Sequence, residues 1–169
     1  LMFLDNRLEH VVEFSCFNTV DRYWHAHMEL LEEPSLDVFG DDSWPVFTRY
    51  RPLQPARVLR SATVDGALLS PGSVVAGEVS RSIVSAHCRI GAGSLVNDSV
   101  LLPGATIGAG CVLDRVVVDA DCAIPDGTRL GSVFMTNSSH YSSPGGIVLA
   151  TSSSAVPMSS PGCNVRKIA

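Results

Sequence analysis

The sequence has no apolar run near the ~18 residues a membrane span needs, no C-x-x-C pair, and no dense block among its 12 Lys and Arg residues. Each absence excludes a class. Without a basic footprint, and with a formal charge of -5, the chain offers no electrostatic surface for nucleic acid or for an anionic membrane. The opening "LMFLDNRLEH" is too acidic, and its apolar part too short, for a secretory signal, so the chain reads as cytoplasmic. Five cysteines, Cys16, Cys88, Cys111, Cys122 and Cys163, are odd in number and show neither a disulfide framework nor a zinc knuckle. They are expected to be structural thiols.

What is present is a repeat. "RIGAG" at residues 89–93 returns as "TIGAG" at 106–110, and three apolar columns run at the same interval of 17: Ile90, Ile107, Ile124; Val84, Leu101, Val118; Val79, Val96, Leu113, Leu130. Within each interval the steps are six, five and six residues, as in "VSAHCR", "LLPGAT", "IGAGCV", "VDADCA" and "IPDGTR". A helix needs apolar spacing near 3.6 and a meander needs alternating strands with frequent turns, so neither fits. Coils of three short strands, each pairing in parallel with its copy about 4.8 Å away, do fit. The product is a triangular prism of about four coils.

Small residues recur where an inward side chain at a corner has little room, which places Cys88, Ala105 and Cys122. Cys88 and Cys122 then lie two coils apart, roughly 9–10 Å, beyond disulfide reach, and both are expected to stay reduced. Glycines 91, 93, 108, 110 and 127, with Pro103 and Pro125, fall at corners. "IGAG" could be read as a phosphate loop, but it recurs in register and no helix follows it. Upstream, "ATVDGALLSPGSVVAGEVS" is a degraded copy, with Val74 one residue off register.

The flanks differ. "NTVDRYWHAHMELLEE" predicts a helix over 20–32 within an arm of residues 1–33, with Thr19 as N-cap, Asp21 in the first turn, and Val20, Tyr23, Trp24, Met28 and Leu31 as its apolar stripe. Residues 34–60, with four prolines, form a connector anchored by Trp44, and 61–150 form the prism with "GGIVLA" as its last strand. Residues 151–169 are a Ser-rich tail expected to be disordered.

"NTVDRYWHAHMELL", "SWPVFTRYRPLQPARV", the repeat itself and "SPGGIVLAT" together resemble the C-terminal part of bacterial glucose-1-phosphate adenylyltransferase (ADP-glucose pyrophosphorylase), over roughly residues 14–150. The resemblance implies a left-handed parallel β-helix that assembles subunits, as homotetramers or as hetero-oligomers with full-length subunits, and takes part in allosteric control of glycogen or starch synthesis. It also implies that catalysis, with ATP and Mg2+, belongs to an upstream domain that this sequence does not contain. Aligning on Thr19 sets Ser15, Cys16, Phe17 and Asn18 at the family's Arg, metal-binding Asp, Val and Gly. A thiol is a poor ligand for Mg2+, so no catalytic residue, no metal site and no cofactor are assigned to this chain.

The remaining candidates are few. Arg49, Arg51, Arg57 and Arg60 make the one local concentration of positive charge, and the resemblance makes them candidates for a phosphorylated small-molecule effector. An enzymatic alternative is a coenzyme A-dependent acyltransferase with His87 as general base, at an outward corner that the next coils fill with Gly104 and Asp121. A third is a scaffold subunit without catalysis. His10, His25, His27 and His140 are assigned to the surface. Tyr23 and Trp24 are expected to pack the helix on the connector or on an upstream domain.

Overall fold

The computed structural model describes residues 19–32, 52–131 and 141–151. Among the described residues one helix, α1 (Val20–Glu32), precedes a parallel β-solenoid of about four turns. Three sheets form its walls, with strands numbered in chain order. Sheet A holds β1 (Arg57–Val58), β4 (Val74–Val75), β7 (Arg89–Ile90), β10 (Thr106–Ile107) and β13 (Ala123–Ile124). Sheet B holds β2 (Thr63–Asp65), β5 (Glu78–Ser80), β8 (Leu95–Asn97), β11 (Val112–Asp114) and β14 (Arg129–Gly131). In sheet C, β3 (Leu68–Leu69), β6 (Ile83–Val84), β9 (Val100–Leu101) and β12 (Val116–Val118) are followed by β16 (Val148–Ala150) and, antiparallel to it, β15 (Tyr141–Ser142).

The three columns read from the sequence are the registers observed. Ile90, Ile107 and Ile124 pair across sheet A, Val84, Leu101 and Val118 across sheet C, and Val79, Val96, Leu113 and Leu130 across sheet B. All are buried, and with Cys88, Ala105 and Cys122 at one corner they form a single interior core. Burial is possible only by stacking, because each two- or three-residue strand presents one or two side chains inward.

The upstream coil is shorter than the rest. Val75 pairs with Ile90 and Val64 with Val79, a spacing of 15 instead of 17, so Val75 and not Val74 enters the core. The missing pair of residues falls at the corner of Gly77, which has no room for a side chain: a Cβ there would sit 2.4 Å from the Ser94 carbonyl oxygen. Pairing also begins earlier than residue 61, since Arg57 and Val58 align with Val74 and Val75.

Corner hydroxyls tie coil to coil. Ser99 Oγ donates to the Asn97 carbonyl at 2.6 Å and accepts the Val116 N–H at 3.1 Å. Ser94 Oγ donates to the Gly108 carbonyl and accepts the Cys111 N–H. Corners cannot use regular ladder bonds, so buried side chains satisfy the backbone there.

Thr19 caps α1 as predicted, its Oγ1 accepting the Arg22 N–H at 3.3 Å. The helix does not await an upstream domain for its packing: Trp24 and Met28 bury against Val100, Val117 and Ile147 on the outer face of sheet C. Outward valines on that sheet supply the apolar surface, which corrects the expectation that Tyr23 and Trp24 face elsewhere. Cys88 and Cys111 are free thiols. Cys122 departs from expectation, being disulfide-bonded. Coil spacing limits pairing only within the solenoid, where Cys88 remains unpaired. Trp44, the connector before residue 52 and the tail after 151 also lie outside the described residues.

Candidate functional site

The outward side chains concentrate their chemistry at one corner, between sheets B and C. Successive coils place Gly66, Arg81, Asp98 and Arg115 there, all with positive φ (54°, 43°, 44° and 56°). Asp is among the residues that tolerate this conformation, and the two arginines adopt it where the turn demands it. The result is a column of alternating charge beside α1.

Arg81, Asp98 and Arg115 each hold the helix. Arg81 Nη2 lies 2.7 Å from Glu32 Oε1, and its Nε lies 2.8 Å from Asp98 Oδ1. These two carboxylates raise the Arg81 pKa further above its ordinary value, Asp98 contributing first. Asp98 also accepts the Trp24 Nε1–H at its carbonyl, 2.6 Å away, and the Asn97 amide at Oδ2. Arg115 stacks over the Trp24 ring at 5.1 Å and donates to the Gly145 carbonyl at 3.1 Å. At the helix start, Ser143 donates to Asp21. Tyr23 faces Asp119, and burial followed by that charge pushes its phenol up. Sheet B continues the polar surface, with Ser80 Oγ donating to Asn97 Oδ1 and Asn97 Nδ2 donating to Asp114 Oδ1.

The candidates read from the sequence lie apart from this corner. Arg57 is exposed on β1, and Arg60 is exposed in the turn that follows. Arg89, not singled out from the sequence, joins the Arg57 column two coils on, with Val74 between them. Arg49, Arg51 and Cys16, with Ser15, Phe17 and Asn18, lie outside the described residues. His87 is exposed at the corner between sheets C and A with φ 61°, in one column with Gly104 and Asp121. His25 is exposed, while His27 is half-buried, its Nδ1 2.8 Å from the Tyr23 carbonyl; His10 and His140 lie outside the described residues.

"IGAG" is a corner and not a phosphate loop. Gly91 is needed for close approach, a Cβ there lying 2.6 Å from the Gly108 carbonyl, whereas Gly93 adopts φ 69° with open space around it. Among the described residues no three His, Cys, Asp or Glu side chains converge to hold a metal. No helix among them is long and apolar enough to cross a membrane.

The corner column had a readable signal, since Arg81, Asp98 and Arg115 repeat at 17 like the core. So did the helix site. Sheet C strands such as "VVV" at 116–118 are apolar on both faces, a mark of strands covered on both sides.

Comparison with known proteins agrees with this architecture. A family model described as "GlmU-like, C-terminal hexapeptide" matches residues 54–150. Similar curated proteins include the glucose-1-phosphate adenylyltransferase of Paraburkholderia phytofirmans, 35% identical over 141 residues, and that of Methylococcus capsulatus, 37% identical over 142. Each alignment covers 79% of this chain and 33% of the relative. Glucose-1-phosphate adenylyltransferase 1 of Vibrio parahaemolyticus is 34% identical over 128 residues, covering 73% and 32%. The chain thus spans about a third of the length of the curated relatives it matches.

Proposed function

From a chain that belongs to the GlmU-like C-terminal hexapeptide family, we propose an assembly and regulatory module of a glucose-1-phosphate adenylyltransferase-like protein, without adenylyl transfer of its own. The observation that carries this reading is the match itself, at 35% identity over 141 residues and 79% of this chain. The chemistry agrees with it. Adenylyl transfer requires cations and a metal gathered around a triphosphate, whereas Arg57 and Arg89 lie two coils apart on sheet A and Arg81 is bound to carboxylates at the α1 corner.

In this reading the solenoid forms homo-oligomers or joins full-length subunits, and Arg49, Arg51, Arg57 and Arg60 receive a phosphorylated effector. The setting is glycogen or starch synthesis in the cytoplasm. Pyrophosphate release from ATP, glucose 1-phosphate and Mg2+ is the direct test, with acetyl-coenzyme A consumption measured on the same sample. Silence in both assays, with an oligomer in light scattering, is the expected result. Pyrophosphate release would overturn the claim of inactivity, and coenzyme A turnover lost in His87→Ala would replace the reading with an acyltransferase.

A further inference from the structure

Helix α1 meets the solenoid through a contact that the solenoid does not need for its own core. The outer cluster of Trp24, Met28, Val100, Val117 and Ile147 shares no residue with the interior cluster, because inward and outward side chains alternate along each strand. Alone, the helix is weak. It has 13 residues, and isolated helices shorter than about 12–15 residues are marginal in water. Glu29 and Glu32 occupy its last turn, which contains no basic residue, and there negative charge opposes the helix dipole.

The compensating charge comes from the solenoid. Both ion pairs among the described residues run through Arg81, to Glu32 on the helix and to Asp98 on the next coil, with the Arg81 and Glu32 side chains about half exposed. Exposed pairs of this kind are screened by salt. Asp98 in turn holds Trp24 through its carbonyl, so the charge bridge and the apolar anchor meet at one residue.

We infer that α1 is a strap that folds and docks in one step on a solenoid already complete without it, and that Arg81 closes it. Opening bares Val100 and Val117, which continue the outward sheet C column from Ile83 and the exposed Leu68. The strap therefore decides whether that column is broken or continuous. This inference is independent of the catalytic reading above.

Hydrogen exchange on the full chain tests it, comparing protection of α1 with that of β9 and β12 at low and high salt. Protection of α1 is expected to be at least about tenfold lower than that of the strands and to fall further with salt while theirs does not. Arg81→Gln and Glu32→Gln should each lower α1 protection about two- to fivefold at low salt and abolish its salt response. Glu32→Gln leaves every solenoid residue in place, so the test survives a folding failure of Arg81→Gln. Equal protection of α1 and the strands, or a salt response unchanged in Glu32→Gln, would overturn the inference.

Discussion

Inside the solenoid a side chain meets its own copies one coil above and below, whereas on the outer face of sheet C Val100 and Val117 meet a helix that has no copy. The interior is redundant along its axis and the exterior is not. Removing one interior residue leaves a hole between neighbours that are themselves held by further coils. Removing one exterior anchor takes away much of what keeps α1 in place. Both regions pack valine and isoleucine, but only the interior repeats them along the axis, while the exterior depends on Trp24 and Met28, which occur once.

That contrast is sharpest in Leu113→Ala, which removes a fully buried side chain from the middle of its column. A loss of about 2–5 kcal/mol in urea unfolding is expected, and a loss near zero would mean that the interior does not act as one core. Next comes Ser99→Ala, which leaves the buried Val116 N–H without its acceptor and should cost about 1–3 kcal/mol in the same measurement. If it costs nothing, corner hydroxyls are incidental and the aliphatic columns alone hold the coils in register.

Trp24→Ala separates the two regions. A Trp→Ala change in a shared core costs about 3–5 kcal/mol, but here the solenoid transition should move by less than about 1 kcal/mol while the circular dichroism of the helix is lost. A full-sized shift of the solenoid transition would merge the two regions into one cooperative unit.

The smallest effect concerns Cys88. Burial pushes its thiol pKa up, only partly offset by backbone hydrogen bonds from Ala105, Gly104 and Ser85. A folded-state pKa above the unfolded one contributes stability that is complete below the ordinary thiol range and is lost as pH rises through the folded value. Relative to Cys88→Ala, which repeats the residue at 105, the native chain should therefore weaken at alkaline pH. An offset between the two that stays constant with pH would refute this.

Much of the solenoid was legible in advance because its core is periodic. Ile90, Ile107 and Ile124 needed no knowledge of the fold to be placed on one wall. Legibility failed where the period broke, at Val74 and Val75, since a two-residue deletion is invisible until the chain is seen to turn tightly at Gly77. The helix was predicted with its bounds and its cap, yet its partner was missed. An apolar stripe shows that a helix must be covered but not by what. Arg57 and Arg60 were chosen for proximity in sequence, while the structure aligns Arg57 with Arg89, 32 residues on.

What the sequence by itself determined is the coil, because a step of 17 residues with fixed apolar positions admits one way to bury them. Tertiary structure alone decided where α1 lies and which charges meet it. Glu32, Arg81 and Asp98 come from a helix and two coils. Their meeting depends on how far the helix runs along sheet C, a distance set by packing that no local pattern encodes.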